Sequence, residues 1–515
     1  MTMRVYRRMS AGLSVWLVAA CAVAQTTTIT VNSRLVVLDV RVVDAKGKPV
    51  DNLDRSQFTV YEDKVQQRIR NFDAPAGHVS LLAPGKVTVD STADLEKHPL
   101  PVVNILVIDE LNTSFEDTAR AQQAVQKFLE AQPEDLPVPM LFLASGAMKL
   151  TVLHDFTQSR AELLASLKSH RTDYDPRMLN NVSAGGSAIT QDGFTKTLGA
   201  LSMVASSVRG INGHKNVIWV GAGFDKAYDL TSASDSDADK IADALKLVTG
   251  RMMAARMSLS TIDPNGVDAL APDENIDAEA LLSEGPNSVS DFAEDVSFDS
   301  LAESTGGVVV HGRNDLAKLV EEDSSAAGSY YTLSYQPSNG SDEAQAYRKI
   351  RVVMKDPNLH AITRTGYYEP AGAEAPVVPS QPKLQSREFK FDLLSAGASH
   401  MVYTGLHVHA TAIAGGYNVQ VEASNLSWKP QDDGTRTAEV SIVGFAADKN
   451  DKTLVQTANE YKERIGETDG VNNVRVGFKV MLDVPPNAAR VRFVVRDAAT
   501  GTLGSVELAG PMQPK

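Results

Sequence analysis

The segment Val102–Asp109, VVNILVID, constrains the fold more than any other part of the chain. It is apolar apart from Asn104 and the closing Asp109. Such a run suits a strand covered on both faces, as in a parallel sheet. A helical pattern over Thr118–Ala131 follows at once. A carboxylate at the C-terminal edge of a parallel strand lies where open α/β sheets take their ligands. Asp109 is therefore the first candidate functional residue.

The alternation continues to about Asn314. PMLFLAS, KNVIWVGAG and MSLSTIDP read as strands. SRAELLASLKSH, FTKTLGALSMVASSVRG and DADKIADALKLVTGRMMAAR read as helices. This order predicts a mostly parallel sheet wrapped by helices, with right-handed connections. A chain of 515 residues exceeds one ordinary core, so about two to four domains are expected. The formal net charge of −14 argues against nucleic acid as a partner, because phosphate contacts need a basic face.

The N-terminus has the form of a processing segment. Arg4, Arg7 and Arg8 precede the short apolar stretch Ala11–Ala20, and Ala22-Val23-Ala24 is a small-x-small site before Gln25. A signal peptide over 1–24 is expected, with cleavage at Ala24. Its apolar core is too short to span a membrane, so the mature chain is expected to carry no transmembrane helix. Cys21 is the only cysteine, and Val18-Ala19-Ala20-Cys21 resembles a bacterial lipobox. Cleavage after Ala24 and a lipid anchor on Cys21 are both open. Either route gives an exported chain without disulfides, in the periplasm, on the outer membrane or secreted.

Residues 27–75 read as a small N-terminal β (Ig-like) unit, with LVVLDVRVV, FTVYED and QQRIRNF as strands. Residues 76–100 read as a linker and 101–325 as the α/β domain. YYTLSYQ, YRKIRVVM and ITRTGYY form a β extension over 326–369. A Pro/Ala/Glu linker at 370–385 leads to 386–512, where FKFDLL, GLHVHATAI, YNVQVEASN, AEVSIVGFAAD, NNVRVGFKVML and ARVRFVVRD suggest a C-terminal β-sandwich. Asp263–Asp299 holds eleven acidic residues and no Lys or Arg, which reads as a solvated loop or a site for a cation or basic partner.

Several segments carry a family resemblance in their order. FTVYEDKVQQRIRNF, GHKNVIWVGAGF, STIDPNGV, LAESTGGVVV, YYTLSYQP, YRKIRVVM and TRTGYY are similar to consecutive segments of the acidobacterial von Willebrand factor A-related family. The resemblance spans nearly the whole mature chain. It implies a von Willebrand factor A-like (Rossmann-like) core flanked by an N-terminal β unit and a C-terminal β-sandwich. It implies no particular activity, since such folds host many functions.

Von Willebrand factor A domains often hold Mg²⁺ through Asp-x-Ser-x-Ser and two further loops, and the partner supplies a last carboxylate. Here Asp109 and Thr113 match, but Leu111 stands where the first serine oxygen belongs. Ser187 or Thr190 would serve the second loop. In Val220-Gly221-Ala222-Gly223, Ala222 replaces the aspartate of the third, and Asp225 lies three residues on. Mg²⁺ needs near-octahedral oxygen coordination, so this set is degenerate. No standing cofactor is expected. A rearranged metal site of Asp109, Thr113, Ser187 and Asp225, or one rebuilt with Glu110 and Asn112, stays open beside hydrogen bonding of Asp109 to loop amides or capping of the next helix.

Other motifs are weaker. Asp235-x-Asp237-x-Asp239 begins like a calcium loop, but Lys240 and Lys246 occupy the places of Gly and Glu. His407-x-His409 puts two rings on one strand face without a third ligand. The tyrosines at 330, 331, 335, 347, 367 and 368 suit core packing or a contact surface. No nucleophile elbow, zinc-protease or phosphate-loop motif occurs. The expected function is binding or assembly with a protein partner at the cell envelope, not catalysis. The binding loops would carry Asp109, Glu110, Asn112, Thr113, Ser114, Phe224 and Asp225. Divalent-cation-dependent adhesion is the alternative, and hydrolysis a minor one.

Overall fold

The computed structural model describes residues 35–81, 88–147, 149–173, 186–224, 235–265, 297–338, 347–368, 393, 396–397, 399–466 and 470–511, excepting side chains at 79–81, 186–192 and 235–240. The signal segment with Cys21 and Ala24, the linker 370–385, most of FKFDLL, Asp225 and the acidic stretch 266–296 lie outside these residues.

Four strands open the chain: β1 (Val36–Asp44), β2 (Phe58–Glu62), β3 (Val65–Gln67) and β4 (Ile69–Asp73). Two short helices follow, α1 (Pro75–Leu81) and α2 (Thr92–Lys97), where the sequence reads as linker. Leu95 of α2 is buried in the core of the next layer, and Asp155 accepts from the N–H and hydroxyl of Thr92. Tertiary contacts order a stretch whose polar composition gave no helix signal.

The α/β layer contains β5 (Val102–Asp109), α3 (Phe115–Ala131), β6 (Asp135–Ser145), β7 (Leu150–Ser159), α4 (Arg160–Ser169), α5 (Gly186–Ser207), β8 (His214–Val220), α6 (Asp235–Ala254), β9 (Met257–Ile262), α7 (Phe298–Ser304), β10 (Val309–Val310) and α8 (Leu316–Ala326). Its six-stranded sheet has the order β10-β9-β8-β5-β6-β7. All pairings are parallel except β6 with β7, an antiparallel hairpin at one edge. Every residue of β5 is buried because both faces are covered. Val103, Ile105 and Val107 face α5, α6 and α7, while Leu106 and Ile108 face α3, α4 and α8. Asp109 has the parity of Val107 and therefore turns toward the α5 side.

The remaining strands are antiparallel. They are β11 (Tyr331–Tyr335), β12 (Tyr347–Met354), β13 (Leu359–Ile362) and β14 (Gly366–Tyr368), then β15 (Val408–Ile413), β16 (Gly416–Glu422), β17 (Lys429–Pro430), β18 (Arg436–Ala447), β19 (Thr453–Ile465), β20 (Arg475–Met481), β21 (Arg490–Asp497) and β22 (Leu503–Ala509). The N-terminal unit and the β extension, far apart in sequence, interleave. One sheet runs β13-β1-β11-β4 and the other β14-β12-β2-β3. They enclose Leu38, Val40, Val60, Tyr331, Leu333 and Tyr335. The α/β layer is thus inserted between the two halves of one sandwich. Inside it, the fully buried Glu62 accepts from Tyr335 at 2.5 Å, Tyr367 at 2.9 Å and Arg348 at 2.9 Å. The buried charge is paired and hydrogen-bonded, as burial requires.

The C-terminal strands form a second sandwich, β15-β16-β20 against β18 and its neighbours β17, β19, β21 and β22. β18 is buried along nearly its whole length because both its faces are covered. Ile442 points into the sandwich, while Val443 and Phe445 join the core that contains Leu201 and Val204 of α5. At the same seam the Thr404 hydroxyl donates to the Ser207 carbonyl at 2.7 Å and accepts from Gly210 N–H at 3.0 Å. A Cβ on Gly210 would stand 1.9 Å from the Thr404 carbonyl oxygen. Gly210→Ala should therefore destabilise the fold by about 1–3 kcal/mol through overpacking. Thermal denaturation and limited proteolysis would read this, and an unchanged melting temperature would count against a rigid seam.

Candidate functional site

The site lies at the C-terminal edge of β5 and β8. Strand β5 ends in Asp109, and Leu111–Ser114 turn the chain into α3. Ser114 caps that helix, accepting from Asp117 N–H at 3.1 Å and donating to the Asp117 carboxylate at 2.6 Å. Asp117 and Glu116 in the first turn suit the positive end of the helix dipole.

Five N–H groups converge on the buried Asp109 carboxylate. Oδ1 accepts from Leu111 N–H at 3.0 Å and Asn112 N–H at 3.2 Å. Oδ2 accepts from Gly223 N–H at 2.9 Å, Trp219 Nε1–H at 3.2 Å and the Asn112 side-chain amide at 3.4 Å. Burial pushes the Asp109 pKa up to about 6, while hydrogen bonds from Asn112, Trp219, Leu111 and Gly223 pull it down. At neutral pH the group is ionised and both oxygens are engaged.

The other loop residues consolidate this arrangement. The Thr113 hydroxyl, also buried, accepts from Ala222 N–H at 3.0 Å and ties the first loop to the third. The Asn112 side chain donates to Thr197 of α5 at 2.8 Å. Gly221 has φ +153°, and a Cβ there would lie 2.3 Å from the Asp109 Cβ and 2.7 Å from the Thr113 hydroxyl oxygen. Only glycine lets the third loop approach this closely. The Leu111 side chain is buried.

Glu110 forms a second anchor. Its carboxylate accepts from Gln122 at 3.2 Å and Asp173 N–H at 2.9 Å, and His170 Nε2 lies 2.7 Å away. Phe224 points into the core, edge-on to Phe194 and Phe298 with ring centroids 4.9 and 5.2 Å away. Ser187 and Thr190 fall in the first turns of α5, but their side chains, like Asp225, lie outside the described residues. The structure thus joins Asp109, Asn112 and Thr113 in one network, puts Glu110 in another, and leaves Ser114 as a helix cap. The sequence reading missed Trp219, Thr197, Gln122 and His170. Trp219 carried a signal: a buried indole N–H needs an acceptor.

The remaining candidates sit elsewhere. Asp235, Asp237 and Asp239 lie at the start of α6, with side chains outside the described residues. His407 Nδ1 is 3.0 Å from Glu422, and His409 pairs with Gln420 across β15 and β16. Tyr330, Tyr331, Tyr335 and Tyr367 are buried, and Tyr347 packs edge-on to Tyr368. Among the described residues no group of three His, Cys, Asp or Glu is positioned to hold a metal, and no helix is long and apolar enough to cross a membrane.

A further polar cluster lies at the opposite edge of the sheet. Asp39 of β1 accepts from Arg256 Nε at 3.2 Å and again from its Nη2. His214 Nδ1 is 3.1 Å from Asp39, and His214 Nε2 is 3.0 Å from the Ser258 hydroxyl. The order Ser, His, Asp has the spacing of a hydrolytic relay. Ser258, however, is 6% exposed on a strand, and the Arg256 fork neutralises Asp39. The cluster joins the first sandwich to the α/β layer.

Compared with known proteins, the chain matches no family model and no curated sequence.

Proposed function

We propose that this chain is an exported, non-enzymatic binding or assembly protein with a von Willebrand factor A-like core, which recognises a protein partner at the cell envelope without a standard metal site. The sheet order β10-β9-β8-β5-β6-β7, with one antiparallel edge hairpin, supports the core assignment. One observation carries the metal-free reading: five N–H donors already engage both oxygens of Asp109. A cation would have to displace them, and apolar Leu111 and Ala222 occupy two of its other expected ligand positions. N–H groups aimed at the carboxylate offset part of the cost of burying its charge.

Millimolar Mg²⁺ or Mn²⁺ should leave the melting temperature unchanged, because a ligand that does not bind the native state gives no linkage. A Mg²⁺-dependent rise that disappears in Asp109→Ala would instead favour cation-dependent adhesion through Asp109, Thr113, Ser187 and Asp225.

A further inference from the structure

We propose that the cavity between α3 and α8 is a docking groove for an acidic segment of a partner protein. The proposal deepens the binding-module reading and rests on it. The cavity measures about 680 Å³, within the range of real ligand sites. One wall is a single stripe of α3, with Arg120, Gln123 and Lys127 at helical spacing. The facing wall brings Lys318 and Asn314 from the start of α8, and Asn265 from the end of β9 closes one side. Three cations and three side-chain amides therefore line one groove on a chain whose net charge is −14.

The lining side chains themselves carry three cations against one carboxylate. Asp315, the one acidic lining residue, is held by the Arg313 fork. Arg120 pairs with Glu116 and Asp117, and Lys318 with Glu322, all as exposed i,i+3 or i,i+4 pairs. Such pairs contribute little to stability and exchange readily for a ligand carboxylate. Lys127 makes no ion pair among the described residues. The first turn of α8 has no side-chain cap, so its amides add partial positive charge at the same rim.

The spacing favours a peptide over a compact anion. Arg120 and Lys127 stand seven residues apart, which places them about 10 Å from each other along the helix. On a polyproline-II-like peptide every third side chain returns to the same face, so carboxylates three residues apart span about 9 Å and can meet both cations. A single phosphate would have to draw the two flexible side chains together.

Fluorescence anisotropy of the full mature chain with fluorescein-labelled hexaglutamate tests this, with a Gly/Ser hexapeptide as the control. Hexaglutamate should bind, more weakly as salt rises, and Lys127→Glu with Lys318→Glu should weaken it about tenfold or more at an unchanged melting temperature. Both are exposed positions on helix surfaces. Equal binding of the control, or no effect of the double variant, overturns the proposal. Displacement by inorganic phosphate at the same charge concentration also overturns it, in favour of a small-anion site. The Mg²⁺ melting assay compared with Asp109→Ala reads the Asp109 site, so failure here is separable from failure of the metal-free reading.

Discussion

Arg256→Met should destabilise the protein by about 2–4 kcal/mol, toward the low end of the range for breaking a buried ion pair because the Arg256 side chain keeps 30% of its exposure. Asp39 is almost fully buried and sits on the first sandwich, while Arg256 and His214 belong to the α/β layer. Burial alone would raise the Asp39 pKa, but the hydrogen bonds and charges of His214 and Arg256 outweigh it and hold the carboxyl well below its usual range. Losing the guanidinium leaves a buried carboxylate with one imidazole and the Thr332 hydroxyl. The same linkage sets a pH dependence. Below about pH 4 the unfolded Asp39 binds a proton that the folded one refuses, so stability is present above that pH and falls on acidification. In Asp39→Asn that part of the acid slope should vanish. Urea denaturation at pH 7 and pH 3 measures both. A loss below about 1 kcal/mol for Arg256→Met would show that the cluster does not clamp the two layers.

The second large effect belongs to Asp109. Replacement by Asn keeps one carbonyl oxygen but turns the other acceptor into an amide group facing Trp219, Gly223 and Asn112. Each buried donor left without an acceptor costs about 1–3 kcal/mol, while a neutral side chain is cheaper to bury than the carboxylate whose pKa burial raises, so a net loss of about 1–3 kcal/mol is expected at neutral pH. Tryptophan fluorescence should shift together with the unfolding midpoint, since Trp219 loses its partner. A near-neutral Asp109→Asn would mean that the five donors do not depend on the carboxylate. The metal-free reading would then lose its support.

Legibility followed burial. β5, β8 and β9 were plain in the sequence because covered strands are continuously apolar, and α3 and α6 were plain because they carry a periodic apolar face. β7 and β19 were not read as strands. β19 spans Thr453–Ile465 at a sheet edge, paired to β18 and largely exposed, so its polar, charged sequence carries little strand signal. The candidate site was half legible. Asp109 and the apolar Leu111 and Ala222 pointed to a site short of oxygen ligands, but which groups engage the Asp109 carboxylate was not readable, because Trp219 and Gly223 arrive from another element.

The sequence by itself determined the mixed α/β alternation, the acidic charge and the missing oxygen ligands, because these depend on local pattern and residue chemistry. Only the tertiary structure decided that the N-terminal strands and the post-core strands complete one sandwich, that the C-terminal sandwich shares a core with α5, and that Asp109 is filled by N–H donors. These rest on pairings between residues up to about three hundred positions apart. Neither period nor composition encodes which distant edge a strand will meet.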